Sequence, residues 1–171
     1  MKIRLFLAVV IVAGLAVIGG CGKNVATSGS SISVEPTSIT WNSLYPYVTN
    51  PIYTTVLSPG GEPMNGLKVT YWAPLAAGSF TSGTGFYAFL NKNGTLCQSP
   101  CVDTTDSNGM SVMNVLFCTT TDCPGVTSIT LPPLPAGLTY SPSAALTYTD
   151  TIYVSSGSAT PVAIDVKING Q

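Results

Sequence analysis

The sequence predicts an all-β fold, an antiparallel β-sandwich of about seven to nine strands. Short runs rich in β-branched and aromatic residues recur along the chain, and clusters of Gly, Pro, Asn and Ser separate them. That spacing is typical of a sandwich or a barrel. Beyond the N-terminal region, no stretch has a helical hydrophobic period of useful length. The 13 prolines disfavour long helices and suit turns and edge strands.

The candidate strands follow one another at short intervals, and several alternate with period two. Leu67, Val69 and Tyr71 share one face of their strand, as expected where one face of a sheet is buried. The run 112–117 is more continuously apolar, which indicates a central strand. The predicted strands are residues 32–34, 39–41, 52–57, 67–72, 85–90, 111–117, 126–131, 145–154 and 161–168.

The first twenty residues have the composition of an export signal. Lys2 and Arg4 precede an apolar run of 14 residues, 5–18, which Gly14 alone interrupts. A bilayer span needs roughly 20 apolar residues, so this run indicates a signal peptide. The sequence Ile18-Gly19-Gly20-Cys21 that follows resembles a bacterial lipobox, which is cut before its cysteine. The resemblance implies a signal peptide over 1–20 and a lipidated Cys21; an ordinary signal peptide with an incidental cysteine is the alternative.

The lipobox resemblance also predicts where the protein resides. Bacterial lipoproteins kept in the inner membrane typically have Asp after the cysteine, whereas Gly22 stands here. We therefore expect an exported protein anchored at the outer membrane of a diderm cell; a Gram-positive cell would carry it on the outer face of its membrane. Several acyl chains on one cysteine hold a protein durably without spanning the bilayer. Residues 21–31 are small, polar and aperiodic, and predict a flexible tether.

Charge excludes nucleic acid as a partner. Charged residues make up 8% of the chain and the formal net charge is −1. Cleavage at the lipobox would remove Lys2 and Arg4, which leaves 4 basic residues against 7 acidic ones. Nucleic-acid affinity comes mostly from neutralising phosphates, and this chain offers no basic surface for it.

Two turn segments indicate which type of β-sandwich the chain forms. Residues 58–71 join two strands through a Gly-Gly turn and an Asn-Gly turn, and residues 103–112 place Asn-Gly just before an apolar strand. Together they resemble the bacterial Ig-like domains of the invasin and intimin type, which combine a Gly-x-Pro hairpin with a later Thr-Asp-x-x-Gly turn. The matching residues are Gly61, Pro63, Met64, Gly66, Val69, Thr70, Thr105, Asp106, Gly109, Ser111 and Val112.

The resemblance implies one Ig-like domain over residues 32–171. Domains of this type often occur as tandem arrays in long adhesins, and this chain holds a single copy. Its cysteine-bearing segment, 91–102, is an insertion that the motif does not require. Turn motifs on a β scaffold specify a fold and say almost nothing about activity.

Four cysteines remain once Cys21 is assigned to lipid, and an even number in an exported chain predicts two disulfides. The local pairs Cys97–Cys101 and Cys118–Cys123 each span a predicted turn, which favours them. Pairing Cys101 with Cys118 is the alternative, since loop entropy does not distinguish the two patterns. A four-thiolate metal site is disfavoured because the spacings are not the Cys-x2-Cys of zinc ribbons.

Nothing in the sequence assembles a catalytic group, so we expect no enzyme activity and no cofactor. The chain contains no histidine and no Gly-x-Ser-x-Gly motif. Asp103, Asp106 and Asn108 offer oxygen ligands around Gly109 and form a weak calcium candidate. The fold already explains these residues, because Asp at a turn normally caps its own backbone.

Aromatic residues are the remaining lead to a function. Trp41, Tyr45 and Tyr47 lie close together in the sequence, and exposed rings could stack on sugars or anchor a protein partner. Core packing is the favoured interpretation of these rings, and exposed binding is the alternative. We expect a structural or interaction module of adhesion type, bound to the membrane through its lipid and to a protein partner or surface polymer. The alternative function is a small carbohydrate-binding module that uses these rings.

Overall fold

The computed structural model describes residues 25–42, 47–76, 87–118 and 147–169. These ranges contain ten strands and no helix, and hence no apolar helix of membrane-spanning length. The strands are β1 (Ser31–Glu35), β2 (Ser38–Asn42), β3 (Tyr47–Leu57), β4 (Lys68–Trp72), β5 (Tyr87–Leu90), β6 (Leu96–Cys97), β7 (Cys101–Thr104), β8 (Met110–Cys118), β9 (Thr147–Ser155) and β10 (Val162–Asn169).

The strands form two five-stranded sheets that pack face to face. The first sheet has the order β1-β3-β8-β5-β6, and the second has the order β2-β10-β9-β4-β7. In an immunoglobulin sandwich, strands A, B, E and D form one sheet and strands C, F and G form the other. With β1, β3, β4, β5, β8, β9 and β10 as A to G, the described strands follow that order in both sheets. The predicted Ig-like β-sandwich is confirmed.

One strand pair departs from the antiparallel prediction. β2 pairs with β10 in parallel, whereas the other paired strands of both sheets run antiparallel. The chain leaves the first sheet after β1 and crosses at Pro36 to the second sheet. The chain keeps its direction as it crosses, so β2 runs parallel to β10.

The predicted strands and the observed strands largely coincide. Every predicted strand except 126–131 overlaps an observed one, and 126–131 lies outside the described residues. The segment 91–102, which the invasin and intimin motif does not require, contains β6 and the start of β7. β6 is the last strand of the first sheet and β7 is the last strand of the second. This segment is therefore part of the sandwich.

A disulfide joins Cys97 of β6 to Cys101 of β7 and so links one edge of each sheet. The predicted local pairing is confirmed for these two residues. Cys118 ends β8, but its side chain and the whole of Cys123 lie outside the described residues. The second disulfide stays a prediction, and the alternative pairing of Cys101 with Cys118 is wrong.

The period-two pattern of the strands separates a buried face from an exposed one. β10 buries Ile164, Val166 and Ile168 and leaves Asp165 and Lys167 exposed. Burying one aliphatic side chain contributes about 1.5–3 kcal/mol, so this alternation fixes which face of each strand meets the core. The largest fully buried side chains are Tyr71, Tyr87, Phe89, Phe117, Ile52, Met113, Ile152, Ile164, Ile168, Val56 and Val69.

A chain of buried hydroxyl groups crosses the core between the sheets. The Tyr71 hydroxyl donates to Thr54 Oγ1 at 2.8 Å and lies 3.0 Å from Ser111 Oγ. Ser111 Oγ in turn donates to Asp103 Oδ2 at 2.8 Å. Burial raises the pKa of Tyr71 to about 12, more than its two hydrogen bonds lower it. The phenol therefore stays protonated at neutral pH and satisfies polar atoms that would otherwise be costly to bury.

The two turn segments of the Ig-like motif pack against each other. Thr105 Oγ1 donates to the Met64 carbonyl at 2.6 Å and accepts from the Leu67 amide at 2.9 Å. The Gly66 amide donates to the Thr105 carbonyl at 2.9 Å. Residues distant in the sequence thus form one hydrogen-bonded unit, which explains why the two motifs occur together.

Part of the predicted tether belongs to the folded domain, which is a correction to the boundary at residue 31. Ala26 and Ser30 are buried, and β1 begins at Ser31. The Ala26 carbonyl accepts a hydrogen bond from the Ser158 amide at 3.0 Å. Residues 25–31 are ordered because they pack on the turn between β9 and β10. Residues 1–24, with the predicted signal peptide and Cys21, lie outside the described residues.

Candidate functional site

Trp41 is a core residue, as the favoured core-packing interpretation predicts, and it is not an exposed binding residue. The side chain is 3% exposed and stacks on Phe117, with ring centroids 5.6 Å apart. Trp41 lies on β2 of the second sheet and Phe117 on β8 of the first, so the contact ties the sheets together. Tyr45 and the side chain of Tyr47 lie outside the described residues, and their proposed role is untested.

The acidic loop of the calcium candidate caps its own backbone. Asp106 Oδ1 accepts from the amides of Asn108 at 2.8 Å and Met110 at 2.9 Å. Asp103 Oδ2 accepts from Ser111 Oγ at 2.8 Å. The two carboxylates thus have separate internal partners: Asp106 caps its own turn, and Asp103 of β7 accepts from Ser111 of β8. In the described ranges, no three His, Cys, Asp or Glu residues cluster closely enough to hold a metal ion.

An exposed aromatic pair lies on the outer face of the second sheet. Trp72 of β4 and Tyr153 of β9 are paired in register, and their rings stack with centroids 5.4 Å apart and an interplanar angle of 28°. Trp72 is 45% exposed and Tyr153 is 43% exposed. Two large exposed rings side by side form an apolar surface that water solvates poorly, which is typical of a binding site.

An open groove of about 640 Å³ begins beside Tyr153 and crosses β9, β10 and β2. Its side chains lie in two rows that the strand register sets. Thr151, Asp165 and Ser38 are directly paired in one row, and Thr149, Lys167 and Thr40 are paired in the next. Pro74 closes a further side of the groove. The aromatic pair and the groove together form the candidate site, and we call this surface the aromatic groove.

Asp150 fixes one wall of the aromatic groove. Its Oδ2 accepts from the Tyr87 hydroxyl at 2.6 Å and from the Leu75 amide at 2.9 Å, and its Oδ1 accepts from the Thr151 amide at 2.8 Å. Burial, together with this carboxylate partner, raises the pKa of Tyr87 far above its ordinary value. Since Tyr87 lies on the first sheet, the contact holds the sheets together at this end of the groove.

Sequence reasoning missed Trp72 and Tyr153, although one signal was present. The alternation that puts Leu67, Val69 and Tyr71 on one face of their strand puts Trp72 on the opposite face. Tyr153 stands between Ile152 and Val154, and both of these are buried. No local pattern shows that β4 and β9 are neighbours, so the pairing of the two rings could come only from the fold.

No protein-family model matches the sequence, and no curated protein matches it either. The invasin and intimin resemblance is therefore not shown as a family membership.

Solved structures of similar architecture share about a tenth of their residues with the chain. The Pseudomonas aeruginosa CupB2 chaperone has a TM-score of 0.43 and 10% identity over 81% of this chain and 55% of its own. A human CEP192 PapD-like domain has a TM-score of 0.40 and 9% identity over 87% and 92%. A Bacteroides ovatus GH5 xyloglucanase has a TM-score of 0.42 and 10% identity over 82%, and the chain spans only 19% of that enzyme.

Proposed function

We propose that the chain is a non-catalytic interaction module, anchored by lipid to a bacterial cell envelope, and that it binds its partner through the aromatic groove. The observation that carries the proposal is the exposed pair of Trp72 and Tyr153 beside the groove. Exposed aromatic residues next to a concave surface supply most of the binding energy in many recognition sites.

The chemistry of the groove supports a binding role over a catalytic one. Glycosidases need two carboxyl groups that flank the bond they cleave. Asp150 accepts three hydrogen bonds from its own domain, which leaves Asp165 as the exposed carboxylate of the groove. The hydroxyl groups of the groove have no histidine to activate them, because the chain contains none.

The lipobox and the Ig-like turns support a display role at the envelope. Lipidation of Cys21 would hold the sandwich at a membrane surface, with at most a short linker before the domain at residue 25. Gly66 and Gly109, which match the invasin and intimin motif, have φ angles of 73° and 70°. These are the positive φ values that such turns need.

Replacing Cys21 with serine is expected to release the protein from membranes, because serine cannot carry the thioether-linked lipid. The measurement is the distribution of the full chain between membrane and soluble fractions. Gly22→Asp is the matched control, since it keeps the cysteine and should stay in the membrane fraction. Retention of the Cys21→Ser protein in membranes would contradict lipid anchoring at this residue.

A photo-crosslinking residue at Thr40 in the groove is expected to capture the partner in intact cells. The control is the same residue at Ser33, which is also exposed but lies on β1 of the first sheet. Adducts should form at Thr40, be absent at Ser33, and decrease when Trp72→Ala is added. Equal capture at both positions, or none at Thr40, would reject the aromatic groove as the binding surface.

A further inference from the structure

The exposed charges of the aromatic groove cancel. Asp165 and Lys167 lie on the outer face of β10, two residues apart, and both are exposed. Asp150 adds no exposed charge, because it is paired with the buried Val166 and its carboxylate accepts from Tyr87 of the first sheet. One exposed carboxylate and one exposed lysine leave the groove without net charge, so its electrostatics favour neither an anionic nor a cationic ligand over an uncharged one.

The two polar rows of the groove offer hydrogen-bonding groups at regular intervals. Four of the six side chains are hydroxyls, those of Ser38, Thr40, Thr149 and Thr151. Neighbouring strands are about 4.8 Å apart, and alternate residues along a strand are about 6.7 Å apart. Hydroxyl groups both donate and accept, and the carboxylate of Asp165 accepts, so together the rows complement a ligand rich in hydroxyls.

Tyr153 supplies the apolar part of the site at one end of these rows, and Trp72 supports its ring from the other side. A pyranose ring has an apolar C–H face and a rim of hydroxyls. Such a ring can stack on Tyr153 while neighbouring sugars of the same chain hydrogen-bond to the polar rows. An extended peptide would instead pair with the backbone of an edge strand such as β2, and would leave Tyr153 and the polar rows on the sheet face unused.

We propose that the aromatic groove binds a neutral polysaccharide, with one sugar ring stacked on Tyr153 and the adjoining sugars hydrogen-bonded to the two polar rows. This inference rests on the proposed function, which requires only that the groove bind a partner. The volume of about 640 Å³ lies in the range of small-ligand sites, roughly 300–1,000 Å³. A protein partner would need about 800 Å² of its own surface buried, which a groove of this kind does not by itself provide.

The test measures binding of the complete mature chain, made soluble by Cys21→Ser, to hydroxyethyl cellulose, xylan, galactomannan and dextran, with alginate as the anionic comparison. Affinity gel electrophoresis identifies the polysaccharide that binds, and titration calorimetry gives its Kd. Tyr153→Ala should weaken binding about tenfold or more, as the loss of one stacking contact predicts. Tyr153→Phe keeps the ring and should stay within about threefold of the unsubstituted protein.

Tyr53→Ala is the matched control, because Tyr53 is 47% exposed but belongs to β3 of the first sheet; its affinity should not change. Binding to alginate alone, or binding that Tyr153→Ala leaves intact, would overturn the inference. Failure of all four neutral polysaccharides, with a protein captured at Thr40, would overturn the ligand class and leave the proposed function standing. Failure of both experiments would overturn the inference and the function together.

Discussion

Trp41→Ala is expected to lower the free energy of unfolding by about 3–5 kcal/mol, the cost of removing a large buried aromatic side chain. The indole is 3% exposed and stacks on Phe117 of the opposite sheet. Its Nε1 has no hydrogen-bond partner among the described residues, so the loss comes from packing rather than from a broken hydrogen bond. Urea denaturation followed by circular dichroism measures the change.

Trp72→Ala serves as the control for Trp41→Ala, because it should change the free energy of unfolding little and ligand binding strongly. Trp72 is 45% exposed, and its loss removes one cross-strand contact with Tyr153, worth about 0.2–1 kcal/mol. It should weaken ligand binding, whereas Trp41→Ala should leave the binding of the folded protein unchanged. A stable Trp41→Ala protein that fails to bind would restore Trp41 as a binding residue and contradict its assignment to the core.

The position of both tryptophans relative to the core follows from strand periodicity. Ile39 and Trp41 stand two residues apart, so the burial of Ile39 implies that of Trp41. Trp72 follows the inward-facing Tyr71 and therefore points outward. What the sequence does not contain is the partner of each ring. Trp41 meets Phe117 and Trp72 meets Tyr153 only because distant strands come together in the fold.

The short strands of the disulfide-linked segment show a second limit of sequence reasoning. β6 has two residues and β7 has four, which is too short for an alternating pattern to be recognised. The spacing of Cys97 and Cys101 predicts a turn between them, and the disulfide expected across that turn is the one observed. The strands on either side form because β5 and β4 offer unpaired edges there, a feature of the assembled sheets.

The sequence also does not show that the polar residues of the aromatic groove form one surface, because they come from strands that only the fold brings together. Ser38, Thr149 and Lys167 are ordinary outward-facing strand residues, and many serines and threonines elsewhere in the chain resemble them. The antiparallel pairing of β9 and β10 aligns Thr149 with Lys167, and the parallel pairing of β2 and β10 adds Ser38. Without the crossing of the chain at Pro36, β2 would not reach the second sheet and the groove would lack one wall.

Gly109→Ala is expected to cost about 2–5 kcal/mol, for two physical reasons that add. Gly109 has a φ of 70°, and an L-residue pays about 1–2 kcal/mol in that conformation. A Cβ at this position would also lie 2.6 Å from the Val56 carbonyl oxygen and 3.0 Å from the Met64 amide nitrogen. Both are backbone atoms, one at the end of β3 and the other in the turn segment that follows it, and displacing them costs about 1–3 kcal/mol more.

Gly66→Ala separates the cost of the positive φ from the cost of the steric clash. Gly66 has a nearly equal φ of 73°, but a Cβ there would meet no atom within 4 Å. Its substitution should therefore cost only the backbone strain, about 1–2 kcal/mol. Denaturant unfolding of the two variants side by side gives the difference, which measures how tightly the two turn segments pack. Equal losses would mean that the backbone around Val56 and Met64 shifts at little cost, and that the hydrogen bond from the Met64 amide to the Val56 carbonyl contributes little to the fold.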